Sequence, residues 1–413
     1  MHKKRLNAFS IYLIMVAAEW LIFSLFDTVV YIYLAEQVTG DPFQLVFIYT
    51  VFTLTSILFE IPTGLVADVY SRRLSVIIGY VLIGIGALIE GGFPIYVVVL
   101  FAQVLWGIGH TFISGAQDAW IADEVGEEKV SQAYMQSSQV GQVAFLIGIP
   151  ISTALATISL QLPILVAGLL FIALAAFLIL FMPEEGFQRI PGEHRDSWGK
   201  VWITFKESIQ LVRGKAVLVA ILVISAVYGL SAAGFDNLWT VFMLETQTFP
   251  RWGNFQPVVW FGFFNTVVTV LGLLGTELVR RRAELTRQSV VVKTLMVLTG
   301  LTAICMIVFG LARNFWLAGV VFSLSLTFRT ICGPLFRIWI NQNVESNVRA
   351  TVMSMESQTF SLGQAVGGPI IGAIGSAVSL PAALVTTGFA RLPIAILYQR
   401  LILRKGKGSG EEG

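Results

Sequence analysis

The chain has 413 residues, of which 56% belong to the apolar and aromatic set, and a mean hydropathy of +0.78. Counting Gly and leaving out Tyr brings the apolar share to about 63%, against roughly 45–50% in soluble domains, so a water-soluble fold is excluded. Only 13% of residues are charged and the net charge is +2, which excludes disorder and a nucleic-acid-binding surface as well.

A helix crossing the hydrocarbon core needs about 20 mainly apolar residues. Twelve such runs occur, at 9–35, 44–69, 75–92, 94–122, 131–156, 159–182, 216–245, 256–279, 289–311, 315–341, 349–376 and 379–402. They are long and unbroken, unlike the alternating strands of a membrane β-barrel. The first follows His2-Lys3-Lys4-Arg5, as a signal peptide would, but its length, its acids Glu19 and Asp27 and the lack of a small-residue cleavage pattern predict a span. The longest non-spanning stretch, 183–215, divides six spans from six. In it Trp198, Val201, Trp202, Phe205, Ile209 and Val212 recur at helical spacing, with Lys200, Lys206, Glu207 and Arg213 opposite. That pattern predicts an amphipathic helix in the membrane interface, a solvated linker being the alternative. The expected organisation is a six-helix bundle at 1–182, the linker at 183–215, a second bundle at 216–402 and a flexible tail at 403–413. Of the 27 Lys and Arg, only Arg251 and Arg313 fall in loops opposite the N-terminus, and Arg329, Arg337 and Arg391 fall within spans. The rest lie on the N-terminal side, so both termini are expected in the cytoplasm of a cell with this protein in its inner, or plasma, membrane.

The halves echo one another. Phe26-Asp27 in the first span and Glu36 at its outer end correspond to Phe235-Asp236 and Glu245 in the seventh, and Asp118-Ala119-Trp120-Ile121 in the fourth to Arg337-Ile338-Trp339-Ile340 in the tenth. Two similar bundles with a site between them is transporter architecture.

Spans 2 and 3 are joined by Glu60-Ile61-Pro62-Thr63-Gly64-Leu65-Val66-Ala67-Asp68-Val69-Tyr70-Ser71-Arg72-Arg73. This stretch resembles the G-x-x-x-D-x-x-G-R-R/K loop of the major facilitator superfamily, with Ser71 where the family usually has glycine. The resemblance extends, through the twelve-span layout, over nearly the whole chain, and implies an all-α membrane protein of two pseudo-symmetric six-helix bundles. Gly64 allows close helix approach. The resemblance further implies that Asp68 faces the start of span 11 near Ala350-Thr351, and that Arg72, beside Arg73, pairs with Asp123 or Asp118 to latch the cytoplasmic side. The counterpart loop, Gly275 to Arg282, keeps mainly its basic cluster.

Ionisable groups inside a bilayer are costly, so each is a functional candidate. The family fold lines its cavity with spans 1, 4, 7 and 10, which carry Glu19, Asp27, His110, Asp236 and Arg329. Glu19 and Asp27 lie about 12 Å apart along a helix and about 80° round it, so they address one cavity at two depths. A carboxyl in such surroundings takes either a proton or a cation, and the two compete. Arg329 needs a carboxylate, such as Glu356 or a cavity acid, or else a substrate anion. His110 is either a proton relay or a hydrogen-bonded helix residue, and Glu60 and Arg391 read as structural. Trp20, Phe26, Tyr31, Trp106, Phe112, Tyr228, Phe235 and Trp239 are candidate aromatic walls of the cavity.

Acids in the first span resemble the drug:proton antiporter branch of the superfamily, although span 5, with Gly141, Gly148 and Pro150, departs from the Gly-Pro-rich motif of that branch. The expectation is proton-coupled efflux of lipophilic neutral or cationic compounds by alternating access. Uptake of a polar or anionic solute through Arg329, or lipid export, is the alternative. No metal spacing, catalytic triad or phosphate loop appears, so no enzyme, metal or cofactor is expected. The expected partners are a small-molecule substrate, protons and the bilayer, with no nucleic acid, and the chain is expected to act as a monomer.

Overall fold

In hydrocarbon every backbone N–H and C=O must bond inside its own segment or to a neighbouring strand, and long apolar runs without hairpin turns do so as helices. A computed structural model describes residues 7–187, 216–250, 256–282, 285–345 and 348–408, and all regular structure there is helical. The helices are α1 Ala8–Asp27, α2 Val30–Tyr33, α3 Pro42–Val69, α4 Arg72–Gly92, α5 Tyr96–Ile113, α6 Ala116–Val125, α7 Glu127–Ala156 and α8 Gln161–Phe181. After the linker come α9 Ala216–Thr246, α10 Pro257–Arg282, α11 Gln288–Leu311, α12 Phe315–Asn343, α13 Arg349–Ala377 and α14 Leu380–Gly408. The amphipathic helix expected within 183–215 falls on 188–215, outside the described residues. Residues 403–408, expected in the tail, continue α14.

Eleven of the twelve expected spans are helices long and apolar enough to cross a bilayer. The twelfth, α13, has 29 residues but carries Ser, Gln and Gly where the others carry Leu and Val. Its packing accounts for that composition. A Cβ on Gly363 would lie 2.1 Å from the carbonyl oxygen of Ala226, and one on Gly367 would lie 2.5 Å from the Cα of Leu230. Backbone-to-backbone contact of this kind needs glycine, and a face in contact with protein needs no lipid-soluble side chains.

Contacts divide the chain into two units, 1–40 with 51–195 and 254–262, and 41–50 with 196–253 and 263–413. Each has the same internal pairing. In the first, α1 packs on α7 and α8, and α4 on α5 and α8. In the second, α9 packs on α13 and α14, and α11 on α12 and α14. Spans 1, 3, 4, 5 and 6 thus find the same neighbours as 7, 9, 10, 11 and 12, the repeat suggested by the short matched strings. The matched tryptophans are core residues: Trp120 and Trp339 are each 1% exposed. Trp120 donates its indole N–H to the Pro183 carbonyl at 2.7 Å, and Trp339 packs edge-on against Tyr398.

The repeat is broken in one respect. Span 1 loses regular α geometry after Asp27 and resumes through α2 into a π-turn, Leu34–Val38. Span 4 breaks between Ile113 and Ala116, where Gly115 has φ +74°, a left-handed conformation open to glycine at little cost. Spans 7 and 10, in contrast, run as single helices of 31 and 29 residues.

Candidate functional site

In the first unit the loop between α3 and α4 is held by its charges. Arg72 Nη1 donates to Asp123 and, at 2.7 Å, to the Ala119 carbonyl. Asp118 is not the partner; it accepts from Tyr12 Oη at 3.3 Å, and its own carbonyl accepts from Tyr134. Arg73 donates through its backbone N–H to Glu184 and through Nη2 to the Ile179 carbonyl. Ser71 replaces the usual family glycine without strain: its backbone is extended (φ −175°), and its Oγ caps α4 by accepting from Leu74 N at 2.9 Å while donating to Glu184 at 2.7 Å. Asp68 is exposed. The close approach expected at Gly64 is absent, since a Cβ there would meet nothing within 4 Å.

The two acids of span 1 differ. Glu19 is half-buried and accepts from Gln117 Nε2 at 3.2 Å, and Gln117 Oε1 accepts from Tyr80 Oη at 3.1 Å. Asp27, the last residue of α1 before the break, is exposed and has no hydrogen bond or ion pair among the described residues. His110 occupies the equivalent place in span 4, the last turn of α5; its ring is exposed and 5.7 Å from Phe52. Residues with unusual surroundings thus cluster where these two helices are interrupted, a feature of transporter sites.

Two side chains of this unit escaped the sequence reading. Gln117 lies next to the matched string of span 4 and had no charge to draw notice. Glu90, close to the end of α4, is fully buried; Gln103 Nε2 donates to its Oε2 at 3.0 Å, Oε1 has no partner, and Tyr33 Oη donates to its backbone carbonyl.

In the second unit, Asp236 of α9 and Arg329 of α12 form a bidentate pair, Nη1 on one carboxylate oxygen and Nη2 on the other at 2.8 Å. Asp236 is therefore already neutralised. A cavity of about 530 Å³ opens beside the pair and is lined by Arg329, Arg337 and Arg391 along with Tyr228, Phe336, Phe360, Cys332 and Glu356. Arg391, read as structural from the sequence, is 5% exposed on this wall. Its guanidinium lies 4.5 Å from the centroid of the Tyr228 ring, and Nη1 reaches Ser231 Oγ at 3.4 Å. Tyr228 Oη in turn contacts Thr299 at 2.8 Å and Tyr398 at 3.3 Å. Glu356 accepts from Ser225 Oγ at 2.9 Å.

Several expected cavity aromatics are packing residues. Phe26 and Trp106 are buried against each other, ring centroids 4.6 Å apart, with Trp106 also on Phe171. Phe235 is fully buried between Phe309 and Phe322, and Trp239 stacks on Phe322 at 4.0 Å. Trp20 is 42% exposed and rests on Gly141 of α7, whose missing side chain leaves room for the indole. Tyr31 and Phe112 are half-buried, and the Phe112 carbonyl accepts from Ser75. Tyr228 is the member of that set on the charged cavity. Among the described residues no three His, Cys, Asp or Glu side chains converge as a metal site would require.

The fold has known counterparts. A family model described as Major Facilitator Superfamily matches residues 8–368. A curated relative, an uncharacterised MFS-type transporter, YxaM, of Bacillus subtilis (strain 168), is 22% identical over 391 residues, covering 92% of this chain and 93% of that protein. Among solved structures, a POT family transporter in complex with a thioalcohol-conjugated peptide has a TM-score of 0.75 at 13% identity, covering 95% of this chain and 96% of that one. The nucleoside transporter NupG has a TM-score of 0.71 at 13% identity, with 96% and 99% covered. A bacterial homologue of the human lysosomal transporter Spinster, in an inward-facing and occupied conformation, has 0.70 at 14%, with 96% of each chain covered.

Proposed function

The chain belongs to the major facilitator superfamily and is a multi-span secondary transporter; from that premise we propose that it couples protons to a polar or anionic solute by alternating access. In this reading Asp27 and Glu19 carry the coupling protons, and the arginines of the second unit attract the solute. The protein acts as a monomer in the plasma membrane with both termini cytoplasmic, in keeping with the distribution of Lys and Arg.

One observation carries the reading. Efflux of neutral or cationic compounds was expected, but Asp236 is held by Arg329, and Arg337 and Arg391 add two further positive charges to a cavity wall that carries one acid, Glu356, among the described residues. Asp27 supports the coupling role, since an exposed acid without a partner at a helix break can accept or release a proton without first breaking a salt bridge. Co-transport of a proton also offsets the cost of moving an anion against an inside-negative potential, about 2.3 kcal/mol per charge per 100 mV.

Efflux of lipophilic neutral or cationic compounds, as in the drug:proton antiporter branch, is the second reading. It is favoured by the same unpaired Asp27 and by the exposed Trp20, about two turns earlier on nearly the same face of α1.

Transport into proteoliposomes under an imposed pH gradient separates the readings. Organic anions are expected to accumulate with the gradient, and Asp27→Asn to uncouple their uptake from it. Gradient-driven movement of lipophilic cations but not of anions would select the second reading. Coupling unchanged in Asp27→Asn would remove Asp27 from the mechanism.

A further inference from the structure

Arg391 is charged at any physiological pH, because a guanidinium does not lose its proton in a protein. A buried charge is ordinarily matched by a carboxylate, yet Arg391 has no ion pair among the described residues. Of its five N–H donors, one makes the long contact with Ser231 Oγ, and Nε has no acceptor. The ring of Tyr228 beneath it supplies cation–π attraction but accepts no N–H in the plane of the fork. Of the two acids in the neighbourhood, Asp236 is paired with Arg329, and Glu356 accepts from Ser225 and makes no ion pair with Arg391.

We propose that the cavity of the second unit is a binding site for an organic carboxylate, with Arg391 as its anchoring cation. The guanidinium fork matches a planar carboxylate bidentately. Arg337, exposed on the same wall and without an ion pair among the described residues, adds attraction for the incoming anion. Phe336 and Phe360 line the remainder and suit an apolar or aromatic body, and about 530 Å³ accommodates a small organic acid. This assignment rests on the anionic-solute reading and adds to it the ligand class and the residue that holds the acid group. The anionic group itself can belong to a soluble acid or to a lipid headgroup, since both present oxygen anions to arginine.

The test is calorimetric titration of the full chain in phosphatidylcholine nanodiscs with benzoate, acetate and inorganic phosphate, and with benzylammonium as a cation of similar shape. Saturable binding of benzoate and none of benzylammonium is expected. Arg391→Gln is expected to weaken benzoate by about tenfold or more, the loss of a hydrogen-bonded charge partner, with partial recovery in Arg391→Lys. Phosphatidylglycerol added to the nanodiscs distinguishes the source: competition with benzoate assigns a lipid headgroup, and lack of competition a soluble acid. The proposal is overturned if none of the three anions binds, if benzylammonium binds as well as benzoate, or if Arg391→Gln binds benzoate unchanged. The comparison of anion and cation uses the wild type alone, so it decides the matter even where Arg391→Gln fails to fold. Benzoate binding without proton-coupled flux of any acid would sink the transport reading and leave the site standing; coupled flux without benzoate binding would do the reverse.

Discussion

Removal of the Asp236 carboxylate, as Asp236→Asn, leaves the Arg329 guanidinium in place with its bidentate partner gone. Breaking a fully buried ion pair costs roughly 3–5 kcal/mol, because a desolvated charge is stranded. Here the Arg329 side chain is 20% exposed and the Asp236 side chain 34%, so solvent recovers part of that loss. A cost of about 1–3 kcal/mol is expected for Asp236→Asn, and a similar one for Arg329→Gln. The double variant Asp236→Asn with Arg329→Gln strands nothing and is expected to cost under about 1 kcal/mol, since neutral replacements of partly buried pairs are often tolerated. The assay is thermal unfolding of the purified protein followed by tryptophan fluorescence, with each single variant and the pair compared in one double-mutant cycle. Low and high salt should give the same cycle, because ions screen partly buried pairs weakly. The reasoning is refuted if the double variant costs as much as the sum of the singles, for then the two charges stabilise the fold independently.

Three further predictions rest on two glycines and the cap of α4. Gly363→Ala drives a Cβ into the Ala226 carbonyl, a backbone atom with no flexible end to yield, and should destabilise the protein by about 1–3 kcal/mol or more in the same unfolding assay. Gly64→Ala, in the loop shared with the family, meets nothing within 4 Å and should be neutral or stabilise its helix by roughly 0.5–1 kcal/mol. Ser71→Ala loses the cap of α4 and the bond to Glu184 and should cost about 1 kcal/mol, while Ser71→Gly should cost less at the cap.

The spans were legible because a bilayer imposes a length and a composition on any helix that crosses it. The repeat was legible too, in the strings around Asp27 and Asp236 and around Trp120 and Trp339, and the common pairing of helices in the two units makes it structural. Composition marks α13 less strongly than the other spans, since glycine serves helix contact there in place of lipid-soluble bulk.

Side-chain direction was another matter. Phe26, Trp106 and Phe235 sit on helices with only a few polar residues, too few to mark which side meets protein, lipid or water. Arg391 read as structural and Glu90 drew no notice, because their surroundings come from other helices: Arg391 in α14 meets Tyr228 in α9, and Glu90 in α4 meets Gln103 in α5 and Tyr33 in α2. From the residues alone one obtains the number, order and kinship of the helices, because hydrophobic length is a local property. Which charges cancel and which remain open to a ligand depends on how each helix is rotated against its neighbours, and that is decided only when the bundle packs.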